Sequence, residues 1–176
     1  PSTDLFQTML NGLQSSLDLS PCRTVIFVDQ NPDKPHVSAE YHQRIQDLAA
    51  PHGFEVMTGM GCGLRHAFLT MARTVDTPYY MLIEHDWMFS KPNALAPILE
   101  AMEEHPDRIH NVRFNQRPNT VAGYDRELKP LSPGRGLPLL LTTQWSNNPH
   151  IGRTSVLREQ WIPRIEADTI FAPHAA

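Results

Sequence analysis

The sequence has few cysteines, no excess of positive charge and no long hydrophobic run. Its 176 residues include only two cysteines, Cys22 and Cys62, too few for a disulfide framework and without a CxxC zinc pattern. Lysine and arginine number 15 against 19 aspartate and glutamate, which argues against a nucleic-acid-binding protein. No apolar stretch approaches the roughly 20 residues that span a membrane, and the first residues lack a signal-peptide pattern. We therefore expect a cytoplasmic protein.

What the sequence does contain is enough apolar material for one folded domain. Hydrophobic residues make up 40% of the chain and charged residues 19%. A chain of this length buries roughly two-thirds of the surface that it exposes when unfolded. Because we find neither an internal repeat nor a linker, we predict a single domain over residues 1–176.

Short apolar strands alternate with amphipathic helices along the chain, which predicts an α/β fold with a mostly parallel sheet. Between the last two strands, the proline- and glycine-rich residues 115–138 predict a lid or binding loop. The predicted helices cover residues 4–17, 38–49, 64–75, 93–102 and 154–161. The predicted strands cover residues 23–28, 54–57, 79–83, 110–114 and 139–143.

Polar side chains follow the first three strands, at the ends where ligands collect in parallel sheets. Asp29 ends the first strand, and Glu84 and Asp86 follow the third. Two carboxylates separated by one residue of extended chain point the same way and attract hard cations such as Mg2+ or Mn2+. A glycine-containing loop and Arg65 follow the second strand, and an arginine in a first helical turn makes better sense beside a bound phosphate.

Each of these residues also has a purely structural interpretation. The acidic pair could be a solvated turn at the end of a strand. Asp29 could cap a turn with Asn31. The loop around Gly61 and Gly63 matches neither the dinucleotide-binding nor the phosphate-loop pattern and could be a plain turn.

A second polar segment follows the predicted strand at residues 139–143. Tryptophan rings stack on sugar faces and amides bond to sugar hydroxyls, so its composition suits a hydroxyl-rich ligand. Single tryptophans are usually core residues, which leaves a packing role open for Trp145. The residues concerned are Trp145, Asn147, Asn148 and His150.

The order of these elements resembles the GT-A glycosyltransferases, especially family 2-like enzymes, over roughly residues 23–165. Residues 24–29 (TVIFVD) are similar to that family's apolar strand ending in a nucleotide-contacting Asp. Residues 63–67 (GLRHA) resemble its Ala-Arg-Asn helix start, and residues 79–86 (YYMLIEHD) its strand ending in Asp-x-Asp. Residues 147–153 (NNPHIGR) resemble the stretch before its acceptor-side helix.

The resemblance implies a Rossmann-like GT-A fold, with a mostly parallel sheet flanked by helices. It also implies transfer of a sugar from a nucleoside diphosphate sugar to an acceptor hydroxyl. In that scheme Asp86 holds a divalent ion, Mn2+ or Mg2+, on the diphosphate, and Glu84 shares the ion or contacts the ribose. Asp29 contacts the base or ribose, and Arg65 assists the phosphates.

The same resemblance implies a site for the acceptor, either a glycan or a lipid-linked glycan reached by peripheral membrane contact. An inverting enzyme needs a general base near the acceptor hydroxyl, and Glu166 and Asp168 are the candidates by position. A solvated helix end is the other interpretation of these two acids. The acceptor-binding candidates are Trp145, Asn147, Asn148 and His150.

The chain departs from the family pattern at two points. It carries Glu84 where the family has Asp, and it starts with a helix where the family has a strand. The leading strand is therefore expected either outside this chain or absent from a shortened sheet. A noncatalytic nucleotide- or carbohydrate-binding relative stays an alternative. A nucleotidyltransferase would need a third strand-end acid, and a non-haem iron oxygenase fits the helix-rich order poorly.

Overall fold

A computed structural model describes residues 3–30, 33–60, 63–89, 95–114, 129–131, 137, 139–141 and 148–167. Over these residues helices and strands alternate, which confirms the predicted α/β class. The helices are α1 (Asp4–Ser16), α2 (Pro35–Ala49), α3 (Gly63–Thr74), α4 (Leu95–Glu104), α5 (Thr154–Val156) and α6 (Ile162–Glu166). A 3-10 turn covers Ala50–His52, and a π-helical turn at Leu157–Trp161 joins α5 to α6. The strands are β1 (Val25–Gln30), β2 (Glu55–Met60), β3 (Tyr79–Leu82), β4 (Asn111–Arg113), β5 (Lys129–Leu131), β6 (Leu139–Leu141) and β7 (His150–Arg153).

The described strands form three small sheets, where the sequence predicts one mostly parallel sheet. β1 and β2 pair in parallel, β5 and β6 pair antiparallel, and β7 lies between β3 and β4, antiparallel to both. Helix α4 joins β3 to β4, and these two strands run in the same direction, as a helical crossover requires. Two parallel neighbouring strands need a crossover connection, usually a helix. No helix among the described residues joins β4 to β7, and these two strands pair antiparallel.

Helices cover both faces of the sheet β3–β7–β4, and the side chains of β3 alternate between them. Tyr79 and Met81 pack against the cluster formed by α4, Val112 and Ile151. Tyr80 and Leu82 pack against the opposite cluster, which α3 forms with Leu157 and Ile165. A third cluster joins Phe6 and Leu10 of α1 to Val28 and Ile45 of β1 and α2.

The last helix extends beyond its predicted end at Trp161. Pro163 lacks an N–H group, and its ring would collide with the carbonyl one turn earlier in a regular helix. The π-helical turn at Leu157–Trp161 widens the backbone at this point, so the helix continues to Glu166. Leu157 at the start of the π-helical turn and Ile165 in α6 are both buried, and they pack this part of the chain against α3.

Other boundaries also differ from the predicted ones. α2 begins at Pro35 rather than Ser38, because proline tolerates the first helical turn, where its missing N–H has no partner. β2 continues past Met57 to Met60. The predicted start of α4 at Asn93 lies outside the described residues, as does most of the predicted loop at 115–138.

Candidate functional site

Helix α3 runs antiparallel to β1, which places the carboxyl ends of β1 and β2 at its start. Its first N–H group, on Gly63, donates to Asp29 near the end of β1. At its other end, the carbonyl of Thr74 accepts from Arg23, just before β1 begins. The chain then turns into β3, whose Leu82 packs in the same cluster as α3. The carboxyl ends of β1 and β2 therefore lie at the start of α3, and β3 follows from the other end of this helix.

Asp29 lies where the sequence predicts a ligand-binding carboxylate, and in this structure it binds the start of α3. Its Oδ2 atom is 3.0 Å from the backbone nitrogen of Gly63. Gly63 has a φ of 69°, a left-handed conformation that glycine adopts without strain. The carboxylate is exposed and interacts favourably with the partial positive charge of the helix N-terminus. A turn with Asn31 falls outside the described residues.

Arg65, one turn into α3, holds the end of α6. Its Nε donates to the carbonyl of Ile165 at 3.0 Å, and its Nη2 to the carbonyl of Glu166 at 2.7 Å. The last carbonyls of a helix carry partial negative charge, and the guanidinium complements it. The residue predicted to assist phosphates therefore also joins α3 to α6.

The acidic pair lies in a turn rather than in extended chain. β3 ends at Leu82, and the carbonyl of Glu84 accepts from the backbone N–H of Trp87 at 3.2 Å. This hydrogen bond closes a β-turn over residues 84–87, which removes the expectation that the Glu84 and Asp86 side chains point the same way. Glu84 is half-buried and Asp86 is exposed.

The donor set of this turn suits a hard cation whose other ligands come from a phosphate. Mg2+ is commonly held by one or two carboxylates together with substrate phosphates and water. Within the described part of the chain, no group of three or more histidine, cysteine, aspartate or glutamate side chains could hold a metal ion by itself. The metal role of Glu84 and Asp86 stays a prediction.

The pairing of β3 with β7 brings part of the predicted acceptor segment to the carboxyl end of β3. Leu82, the last residue of β3, pairs with His150, the first residue of β7, so Asn148 lies just beyond the end of this strand pair, as the acidic turn does. The N–H of Phe114 donates to the carbonyl of Pro149 at 2.8 Å, which fixes the other side of this segment. Asn148 therefore lies at the end of the sheet at which β3 ends, and its acceptor role stays a prediction.

His150 lies beneath this site rather than on its surface. Its side chain is buried, with an exposed fraction of 0%. Nδ1 is 2.8 Å from the carbonyl oxygen of Asn148, and Nε2 is 3.2 Å from the hydroxyl of Tyr80. The ring thus supports the segment from below, and in this structure it presents no nitrogen to a ligand, contrary to its predicted acceptor role.

Glu166 lies beside α3 and contacts two of its arginines. Its Oε1 lies 2.6 Å from Nη2 of Arg73, in the last turn of α3, in an exposed ion pair. Its backbone carbonyl accepts from Nη2 of Arg65, in the first turn of the same helix. The carboxylate of this predicted general base is therefore paired with Arg73. Asp168, Trp145 and Asn147 lie outside the described residues.

Tyr80 and Gly152 are the neighbours of the site that sequence reasoning missed. They pair across β3 and β7, and a Cβ atom at Gly152 would lie 2.6 Å from the Tyr80 ring. Burial raises the pKa of Tyr80 far above its ordinary value, so its hydroxyl stays protonated and can donate to His150. A glycine inside an apolar strand is the signal that could have revealed this close approach.

A cavity of about 390 Å³ opens at the opposite end of β1 and β2, away from the predicted site. Arg23 and Glu55 form a bidentate ion pair on its wall, with distances of 2.7 and 2.9 Å. Burial, and secondarily the charge of Asp18, raise the pKa of the Cys22 thiol at the same wall. This pocket contains none of the residues predicted to bind a donor or an acceptor.

Comparison with protein-family models, curated proteins and solved structures found no match for this chain. No helix in the described ranges is both long enough and apolar enough to cross a membrane.

Proposed function

We propose that this chain is a GT-A-like domain that transfers a sugar from a nucleoside diphosphate sugar to an acceptor hydroxyl. The proposal is supported by the positions of Asp29, Arg65 and the acidic turn, which lie at or soon after the carboxyl ends of β1, β2 and β3 respectively. The β3–β7 register adds Asn148 at the carboxyl end of β3. Carboxylates, a guanidinium and an amide at strand ends are the groups that a nucleotide sugar requires.

On the donor side, Asp86 and Glu84 hold Mn2+ or Mg2+ against the diphosphate. Such an ion neutralises the charge that develops on the leaving diphosphate. Arg65 assists the phosphates from the first turn of α3, where the α6 carbonyls already hold its guanidinium. Asp29 accepts hydrogen bonds from the ribose or base, beside the N–H of Gly63 that it already binds.

On the acceptor side, Asn148 is the described residue best placed to bind a hydroxyl. Trp145 and Asn147 belong to the same proposed subsite, and Asp168 is the proposed general base. The acceptor is a glycan, free or lipid-linked, and a cytoplasmic location belongs to the same proposal.

A noncatalytic nucleotide- or carbohydrate-binding domain is the second candidate. The ion pair of Glu166 with Arg73 favours it, because this contact occupies the carboxylate of one of the two proposed bases. A domain without a base near the acceptor would still bind nucleotide and metal.

Calorimetric titration with UDP and GDP, each with and without Mn2+, tests the donor site. We expect metal-dependent binding of one nucleotide, and we expect Asp86→Ala to abolish it. Asp107→Ala is the matched control, since Asp107 is an exposed carboxylate in the turn before β4. Absence of binding to both nucleotides in the presence of metal would contradict the proposal.

Turnover separates the two candidates once a nucleotide has been found. The transferase predicts release of the diphosphate from the matching nucleotide sugar when acceptor is added. Metal-dependent binding without any release, across acceptors of both kinds, would instead identify the noncatalytic domain.

A further inference from the structure

We propose that His150 is an acid-sensitive latch: its neutral ring joins Asn148 to Tyr80, and a second proton on the ring loosens the segment that leads into β7. The latch belongs to the sheet β3–β7–β4 and does not depend on the proposed glycosyl transfer.

The two hydrogen bonds of His150 define its tautomer. The carbonyl oxygen of Asn148 can only accept, so Nδ1 carries the proton and donates to it across 2.8 Å. Nε2 of the neutral ring is then an acceptor for the hydroxyl of Tyr80 at 3.2 Å. The two rings meet edge to face, at 85° and 5.5 Å between centroids. In this arrangement the neutral ring also accepts the hydrogen of the Tyr80 hydroxyl.

A second proton on Nε2 would oppose the hydrogen of the Tyr80 hydroxyl. That hydroxyl would have to turn its hydrogen elsewhere, and within the described residues His150 is its hydrogen-bond partner. The tyrosine ring has little room to withdraw, since its edge already lies where a Cβ of Gly152 would be. Protonation therefore reverses the hydrogen bond between Nε2 and Tyr80, takes the ring nitrogen away as an acceptor for the hydroxyl hydrogen, and buries a charge.

The surroundings of the ring oppose a positive charge. Within the described residues, the titratable or charged groups that face it are Tyr80 from β3 and Arg113 from β4, which pairs with His150 in register. The helices on this face contribute apolar side chains to the cluster, and Arg65 of α3 is turned toward the carbonyls of α6. Burial first, and then the charge of Arg113, lower the pKa of His150 below its ordinary value of 6.5. The hydrogen bond to Asn148 acts in the opposite direction.

The sign of the pH effect follows from this lowered pKa. Between pH 6.5 and the lower pKa of the folded state, the unfolded chain binds a proton that the folded chain does not. The stabilisation is complete above pH 6.5 and is lost as the pH falls through that window. The ring holds the Asn148 carbonyl, so we expect the segment of Asn148 and Pro149 to open first. Phe114 reports on this opening, because its N–H donates to the carbonyl of Pro149.

Two measurements on the whole chain test the latch. Long-range proton–nitrogen NMR spectra should show His150 as the Nδ1-protonated tautomer at pH 7.5, with a titration midpoint below 6.5. Amide exchange should show the protection factor of Phe114 falling at least tenfold between pH 7 and pH 5. The amides of β1, which pair with β2 in another sheet, serve as the internal reference.

Two variants separate the latch from general acid denaturation. His150→Asn keeps a donor toward the Asn148 carbonyl but cannot titrate. On acidification the unfolding equilibrium constant should therefore rise less steeply in this variant than in the wild type, and the difference should be up to about tenfold per pH unit. Tyr80→Phe removes the donor to Nε2 and should raise the titration midpoint of His150. The proposal is overturned if His150 titrates at 6.5 or above in the wild type. It is also overturned if Phe114 exchange has the same pH dependence in wild type and His150→Asn.

Discussion

Replacing Gly152 with alanine probes the closest packing in the sheet β3–β7–β4. The new Cβ would lie 2.6 Å from the Cε1, Cζ and Oη atoms of Tyr80, a separation at which one group must move. The Tyr80 ring is packed against α3 and α5–α6 and bonded to His150, so it cannot swing aside cheaply. Overpacking of this kind costs about 1–3 kcal/mol.

A smaller gain opposes that cost. Alanine stabilises a strand interior relative to glycine by about 0.5–1 kcal/mol, because glycine loses more backbone freedom on folding. We therefore expect Gly152→Ala to lower the free energy of unfolding by about 0.5–2 kcal/mol, the difference of these two terms. Urea denaturation measures it as a lower midpoint with an unchanged slope.

The matched experiment repeats the substitution in a Tyr80→Val background, where no ring meets the new methyl group. There Gly152→Ala should stabilise the protein, by about 0.5–1 kcal/mol. The coupling energy between the two positions should then be about 1–3 kcal/mol. Equal effects of Gly152→Ala in both backgrounds would refute the reasoning, since the clash would then not determine the cost.

Three further predictions concern contacts on either side of α3. Arg65→Ala should cost about 1–3 kcal/mol in urea denaturation, because it leaves the last carbonyls of α6 without their charged donor, while Arg65→Lys should recover only part of the loss. Asp29→Ala should cost about 0.5–2 kcal/mol and Asp29→Asn much less, since an amide oxygen still caps α3; equal losses would contradict the cap. Hydrogen bonding to Arg23 lowers the pKa of Glu55 from 4.5, so its stabilisation is lost as the pH falls through that lowered value, and Arg23→Gln should return the NMR titration toward 4.5.

Several elements were predictable because they depend on neighbours along the chain. The helical spacing of apolar residues predicts α1 to within one residue, and its buried side chains Phe6, Leu10 and Leu13 share that spacing. The apolar runs that become β1 and β3 were found for the same reason. The position of Asp29 at the end of β1 also followed from local pattern, whereas glycosyl transfer stays a prediction.

Other features depend on contacts between distant parts of the chain. A strand's sequence does not specify its partner, so the antiparallel insertion of β7 between β3 and β4 was missed. The burial of His150 depends on Tyr80, 70 residues earlier. Arg65 contacts a carbonyl 100 residues away, and the contact of Glu166 with Arg73 spans 93 residues.

The amino-acid sequence by itself determined the α/β class, the order of the elements as far as β4 and the polar residues at the strand ends, but not the strands β5 and β7. These follow from hydrophobic period and turn residues, which act over a few positions. Only the tertiary structure decided that β7 pairs with β3, that His150 is buried against Tyr80 and that Glu166 pairs with Arg73. Those outcomes depend on strand register and helix packing, in which residues far apart in sequence compete for the same space and the same hydrogen-bond partners.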